Sequence, residues 1–503
     1  METARTEPLH GPLKVLWAAF LVALPVTSTP WLPEALGGAT TVRPLAFFPL
    51  FPLIVYLLAR RLFRERLPRA LLPLVLFAVV AVIGGALAAV RPVPEFRFVT
   101  PLDRVIRNLL TLGMGASFYL AAALIPRTRE DLKFTVRWLL IGFGVSLAWS
   151  SLQAAYVLNI RADPVTWEPF FDRLNTIHHW ISTRNLQERR VTGMAYEPSW
   201  YAEQLTILVL PWLLVAAVRR ESVFNRRLGA FLIEDALLVW TSAIMMLTFS
   251  RTGLVILFLQ VGLTILVGSG RKGADRSGLF ARLLAPENLV RRIGAFALVA
   301  VLFAAVVFSV GSRNRYFSRM WRFFTDEEAG GNYWAYIAFG QRFAYWEAAV
   351  SMYAVQPVFG IGVGNFALYF EDHLPHIPLY QYPEILELIV PAQGYNELVT
   401  PKNYFLRVLA ETGLVGLAAF GGFWLVVTGS ALDLQLHPRG DEQRYAWGRV
   451  GAVGLLACLL VAFSTDSFAM PNIWVFMGLM TAAAHCDEAA DRQGNPPSDR
   501  PRL

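Results

Sequence analysis

The chain has 503 residues, 55% of them hydrophobic and only 16% charged, with a mean hydropathy of +0.45. That composition excludes an ordinary soluble globular protein and points to an all-α integral membrane protein. The formal net charge of +8 does not point to nucleic acid, because the arginines sit in short clusters between apolar runs, where orientation signals lie.

Arg5 and Lys14 precede an apolar segment like the core of a signal peptide, yet Ser28-Thr29-Pro30-Trp31 is a poor cleavage site, so this segment is expected to remain as a first span. Cys458 lies inside an apolar run and Cys486 at the end of the last one, which supports neither a disulfide framework nor a cysteine metal site. Runs long enough to cross a bilayer, at about 20 residues each, fall near 13–30, 44–59, 70–90, 105–125 and 134–158. They resume near 199–218, 231–249, 252–269, 293–312, 403–430, 448–466 and 470–485.

The expectation is therefore about twelve transmembrane helices. They form an N-terminal group (1–158), a first outer loop (159–198), a middle group (199–312), a large outer loop (313–402), a C-terminal group (403–486) and a disordered cytoplasmic tail (487–503). Every even-numbered connection is basic, as in Arg60, Arg61, Arg64 and Arg66, in Arg219, Arg220, Arg226 and Arg227, or in Arg271, Lys272, Arg276 and Arg282. The positive-inside rule then puts both termini in the cytoplasm and the two long loops on the outer face.

Those loops carry Trp, Tyr, His and Pro, as in Trp167 to Phe171 and Tyr333 to Tyr336, residues suited to a headgroup boundary. Tyr333 to Tyr353 has a helical pattern with Arg342 on an otherwise aromatic surface, which predicts an interfacial helix. A loop as long as 313–402 inside a membrane protein is functional or disordered, and its aromatic and glycine content argues for the lid of an active site.

Arg251, in Ser250-Arg251-Thr252-Gly253, sits at an outer turn between two spans, where a cation is costly without an anionic partner. It either snorkels to lipid phosphate or clamps a diphosphate-bearing lipid, because guanidinium binds phosphate oxygens bidentately. Arg189-Arg190 followed by Glu197-Pro198-Ser199 places two arginines beside a helix start. There the polar residues either cap the helix, or the arginines make an anion site and Glu197 a general base.

Gly360-Ile361-Gly362-Val363-Gly364 lacks the βαβ context of a dinucleotide site and is read as a tight turn packed on the site, or as a diphosphate-binding nest. Asp372, His373 and His376 have metal-compatible spacing but weak support as a site. Asn403, Arg407 and Glu411 recur every four residues, so they share a helical face and permit an Arg407–Glu411 ion pair, while Lys402 points to the outer cavity. The sequence calls for no metal and no other cofactor.

Arg190-Val191-Thr192-Gly193, Glu197-Pro198-Ser199, Ser250-Arg251-Thr252-Gly253, Arg342, Pro357 to Phe366, and Asn403-Tyr404-Phe405-Leu406 through Glu411 to Gly416 together resemble, in order, the O-antigen ligase and O-antigen polymerase family. The resemblance spans Arg190 to Gly416 and implies a GT-C-like fold in the bacterial cytoplasmic (inner) membrane. It implies a metal-independent inverting glycosyltransferase that moves a glycan from an undecaprenyl-diphosphate carrier to an acceptor glycan or glycolipid at the outer face. The bilayer is then its setting and nucleic acid no partner. Carried over, Arg190, Arg251, Arg342 and Asn403 bind substrate. Family ligases typically have histidine where this chain has Lys402.

A protonated lysine is a poor base, so Lys402 is assigned to neutralising the leaving diphosphate and Glu197 to deprotonating the acceptor hydroxyl. This departure shifts weight toward a polymerase or a ligase for another surface glycan. The competing class is a transporter of a lipid-linked or polar solute, which would favour two related halves with broken helices at the midplane.

Overall fold

Inside a bilayer no water satisfies a backbone amide, so a spanning segment must close its own hydrogen bonds, and the apolar runs of this chain do so as helices. The computed structural model describes residues 8–32, 42–60, 67–91, 99–160, 163–229, 231–268, 286–312, 314–325, 333–337, 339–374, 385, 398–436 and 442–494. Among the described residues seven helices are long and apolar enough to cross a membrane: Leu71–Ala89, Pro101–Leu124, Arg129–Asn159, Pro198–Arg219, Ile293–Gly311, Tyr404–Leu436 and Gln443–Ala462. Shorter apolar helices, Gly11–Ala23, Phe47–Arg60 and Arg251–Leu266, accompany them. The only described strands are the two-residue partners Arg227–Leu228 and Phe231–Leu232. His376, the basic clusters 61–66 and 271–282, much of the large loop and the tail beyond 494 lie outside the described residues.

Local chemistry sets several helix starts. Thr128 accepts from the Asp131 amide while Asp131 reaches back to the Thr128 amide, a capping box that opens Arg129–Asn159. Proline occupies the first turn of Pro101–Leu124 and of the Pro198 helix, where its missing N–H costs nothing.

Packing follows the rule for membrane bundles, in which small residues let backbones approach. The Pro101 helix lies against Pro471–Gly494, where a Cβ on Gly478 would stand 2.6 Å from the Ala122 Cβ. Beside this seam an aromatic layer forms from Phe77, Tyr404, Phe420, Phe423, Phe468 and Trp474. The polar ends of two of these rings are satisfied, Trp474 Nε1 donating to Phe468 O at 2.8 Å and Tyr404 Oη to Ser467 O at 2.6 Å.

Among the described residues two helices depart from regular geometry, and neighbouring elements satisfy what the departures release. The Pro198 helix widens into a π segment at Leu205–Val209, and Gln260 of the Arg251 helix donates to Thr206 O there at 2.8 Å. The Tyr404 helix breaks at Gly413, with φ 66° and ψ −167°. Backbone groups freed by that break meet the glycine-rich segment: Ile361 N and Gly362 N donate to Ala410 O and Glu411 O, each at 3.0 Å, and Leu414 N donates to Pro357 O at 2.8 Å. Glycine is required at position 413, because a Cβ would collide with Val358 O and its φ lies in the left-handed region.

Candidate functional site

The Arg190 segment is fixed first by its backbone. Gln153, buried in the Arg129 helix, accepts from Thr192 N and Gly193 N at 3.0 Å each and donates to Gly193 O at 2.9 Å. Val191 N donates to Leu247 O at 2.9 Å, which brings the segment alongside the turn Thr248-Phe249-Ser250. Phe249 has φ +48°, a left-handed backbone rare in a non-glycine residue, and turns its carbonyl toward Arg190. Arg190 then donates to Thr248 O at 2.9 Å and to Phe249 O at 3.5 Å.

Arg251 begins the next helix and donates to Ile337 O at 2.8 Å, while its Nε is buried with no partner among the described residues. A helix start carries partial positive charge and welcomes anions, so a cation there is electrostatically misplaced until an anion joins it. The guanidiniums of Arg190 and Arg251 both lie on the Tyr316 ring, 4.6 and 5.1 Å from its centroid. Burial pulls Arg190 below the usual arginine range, with Tyr316 and Glu197 opposing that trend and Arg251 and Arg184 adding to it. Tyr316 is set by Asn314, whose Oδ1 accepts from Tyr316 N at 3.0 Å and whose Nδ2 donates to Arg189 O at 2.7 Å. The arrangement is two converging cations on an aromatic floor, suited to an anion with several oxygens.

A second group of charges adjoins the first. Lys402, another non-glycine residue at positive φ (+51°), donates through its backbone to an Asp466 carboxylate oxygen at 2.7 Å, and Thr400 Oγ1 donates to the other at 3.2 Å. Arg342 lies across Lys402 O at 3.5 Å and donates to Ser464 O at 3.3 Å. Burial lowers Arg342, with the Glu203 and Asp466 carboxylates acting against it. Glu203, 5% exposed, receives Ser464 Oγ on Oε1 at 3.4 Å, and its Oε2 has no partner among the described residues. Its electrostatic neighbours are Arg342, Glu197 and Lys402. The two groups are thus joined through Glu203, Glu197 and Tyr316.

Glu197 pairs with Arg184 at 2.5 Å and accepts from Ser199 Oγ at 3.2 Å; its side chain remains 37% exposed. Asn403 is buried, its Oδ1 accepting from Leu406 N at 3.1 Å as the cap of the Tyr404 helix. Beneath Lys402 lies the Arg407–Glu411 ion pair that the four-residue spacing anticipates, at 3.1 Å. Arg407 also donates to Asp466 O at 2.6 Å and to Asn108 Oδ1 at 2.5 Å. The amides of Ile361 and Gly362 are spent on the broken helix, so the glycine-rich segment is a packing turn and those two groups are not turned toward an anion. Asp372 and His373 form a short turn with Glu371.

Residues 236–421 match the family model described as O-antigen ligase. This stretch is an O-antigen ligase domain. No curated protein matches the chain. The O-antigen ligase domain contributes Arg251, Tyr316, Arg342, Lys402 and the Gly413 break, while Arg190, Glu197, Glu203 and Asp466 reach its edge from outside 236–421. This is a multi-pass membrane protein with the glycan-transfer domain of that family.

Tyr316, Glu203, Ser464 and Asp466 are functional candidates that sequence reasoning did not single out. For Glu203 and Asp466 a signal existed, since a carboxylate within or between apolar runs is expensive. For Tyr316 there was none, as one ring among the 16 tyrosines has nothing local to mark it.

Proposed function

We propose that the chain transfers a glycan from an undecaprenyl-diphosphate carrier to an acceptor sugar at the outer face of the bacterial cytoplasmic membrane, acting as a polymerase or ligase of O-antigen or exopolysaccharide. The single observation that carries this reading is the convergence of Arg190 and Arg251 on the Tyr316 ring, with Arg251 Nε buried and unpaired. Two cations held this close repel, and Glu197, the carboxylate acting on Arg190, is itself paired with Arg184; a diphosphate relieves the repulsion while gaining charge-assisted hydrogen bonds of about 1.5–3 kcal/mol each.

In this reading the acceptor hydroxyl attacks the anomeric carbon from the face opposite the diphosphate, the glycosidic bond forms with inversion, and the bond to the phosphate oxygen breaks. No metal takes part. Glu197, exposed beside the arginines, takes the hydroxyl proton. Arg190, Arg251, Arg342 and Lys402 take up the charge that develops on the departing diphosphate, and Asn403 holds the turn that presents Lys402. Outer orientation rests on the basic even-numbered connections, and the short apolar helices are counted with the long ones, together with Ile233–Leu247 and Pro471–Gly494, in a GT-C-like arrangement of about twelve spans.

The experiment is transfer from a purified lipid-diphosphate-linked oligosaccharide by the reconstituted full chain. Arg251→Ala or Arg190→Ala is expected to lower turnover about 10²–10³-fold with membrane insertion intact. Glu197→Gln is expected to bind donor and not turn it over. Wild-type glycan chain length in both arginine variants rejects the reading.

A further inference from the structure

Toward the opposite end of the Pro198–Arg219 helix, lined from Trp212 to Arg219 and so about 14–24 Å along the axis from Glu203 at 1.5 Å per residue, the chain has a cavity that glycan transfer does not use. It measures about 370 Å³ and lies between the Arg129, Pro198 and Glu442 helices, closed on one side by the turn 221–223 and by Glu234. Its walls are apolar, including Val136, Leu140, Val215 and Val450. Trp212 and Trp447 meet edge to face at 4.6 Å within it.

Two buried polar atoms there lack partners among the described residues. Glu234 is 1% exposed; its Oε1 accepts from Ser222 Oγ at 2.9 Å and Val223 N at 2.8 Å, which accounts for that oxygen as a clasp on the turn. Its Oε2 has none. Trp212 is 7% exposed, and its Nε1–H is the second orphan. Each such group costs roughly 1–3 kcal/mol while unsatisfied, and one is an acceptor where the other is a donor. Lys133 stands exposed at the rim, and Arg219, held by Glu221 at 2.8 Å, completes it.

We propose that this cavity binds an aminophospholipid, a lipid whose headgroup carries both a primary ammonium and a phosphate. The ammonium donates to Glu234 Oε2. Phosphate or ester oxygens accept from Trp212 Nε1 and face Lys133. One acyl chain enters against Val136, Leu140, Val215 and Val450. Charge complementarity selects this occupant: an anionic lipid without an amine leaves the buried carboxylate unanswered, and a quaternary ammonium has no N–H to give it. A purely apolar guest answers neither orphan.

The test is native mass spectrometry of the full chain reconstituted in nanodiscs of phosphatidylethanolamine, phosphatidylcholine or phosphatidylglycerol and then released into detergent. One phosphatidylethanolamine per chain is expected to be retained, at least tenfold more strongly than either other lipid. Glu234→Gln keeps the clasp on the turn and is expected to lower that retention about tenfold, leaving the three lipids alike. Val450→Phe fills the cavity with Glu234 untouched and is expected to abolish retention, which covers the case in which Glu234→Gln fails to fold. Equal retention of all three lipids by the wild-type chain, or undiminished phosphatidylethanolamine retention in either variant, overturns the proposal. Glycan transfer is measured in parallel, and its loss or survival bears on the other end of the molecule and not on this one.

Discussion

Arg407→Ala is expected to be among the most damaging single substitutions in the protein, although this side chain has no place in the transfer step itself. The guanidinium is 2% exposed and satisfies Glu411 Oε2, Asp466 O and Asn108 Oδ1 together. Removing one partner of a buried ion pair costs about 3–5 kcal/mol, because the other charge remains buried and uncompensated. Orphaning a buried carbonyl and a buried amide oxygen adds about 1 kcal/mol each, so the expected loss is about 5–7 kcal/mol, a large fraction of a typical folded-state stability of about 5–15 kcal/mol. Replacing both charges, as in Arg407→Met with Glu411→Leu, leaves only the two orphans and is expected to recover about 3 kcal/mol of that loss. Reversible unfolding in detergent micelles, followed by tryptophan fluorescence across the double-mutant cycle, measures both quantities. A single variant that loses less than about 1 kcal/mol, or a double variant no better than the single, refutes the argument that this network is held by a compensated charge. Transfer activity is expected to fall in step, because Asp466 accepts from the Lys402 amide and the Arg407 contact to Asp466 O steadies it.

Gly413→Ala is expected to cost about 1–3 kcal/mol, from the left-handed backbone and the collision with Val358 O, and to loosen the glycine-rich segment, which limited proteolysis would register. Glu203→Gln is expected to lower kcat about tenfold (about 1.4 kcal/mol) with KM for the lipid donor unchanged, because Glu203 faces Arg342 and Lys402; Glu203→Asp is expected to restore part of the loss, and a variant with wild-type kcat would remove Glu203 from the site. His178 is fully buried, stacked on Trp149 at 6.2 Å, with neither ring nitrogen bonded among the described residues. Burial first, and then the His179 charge, push it down to about 4. The unfolded chain takes up its proton near pH 6.5, so stability is constant above that pH, falls by up to about 3 kcal/mol as pH drops from 6.5 to 4, and levels off below. His178→Phe is expected to flatten that slope in unfolding measured against pH, and an unchanged slope would assign the dependence to other groups.

Much of the architecture was legible because hydropathy is a local property. The apolar runs near 105–125, 134–158 and 403–430 correspond to Pro101–Leu124, Arg129–Asn159 and Tyr404–Leu436, and Arg407–Glu411 pairs as its spacing implies. What stayed hidden was non-local. Gly413 reads equally well as a tolerated mid-helix glycine, and only the docking of residues 357–362, more than fifty positions earlier, turns it into a break. Tyr333 to Tyr353 reads as one interfacial helix but is two, Tyr333–Tyr336 and Gly340–Val355, and this brings Ile337 O onto Arg251. Arg190 and Arg251 stood out as costly cations, whereas the ring they share lies on a separate helix that no spacing connects to them.

If Lys402 acts as proposed, its left-handed backbone puts durability and catalysis in competition at one position. Glycine or asparagine would sit there with less strain, so Lys402→Gly is expected to gain up to about 1 kcal/mol of folding stability while discarding the charge proposed to receive the leaving group. Under the proposed role, the strain at this position is the cost of placing an ammonium group beside the leaving diphosphate. Variants enriched by heat and variants enriched by glycan output are therefore expected to diverge first at residue 402.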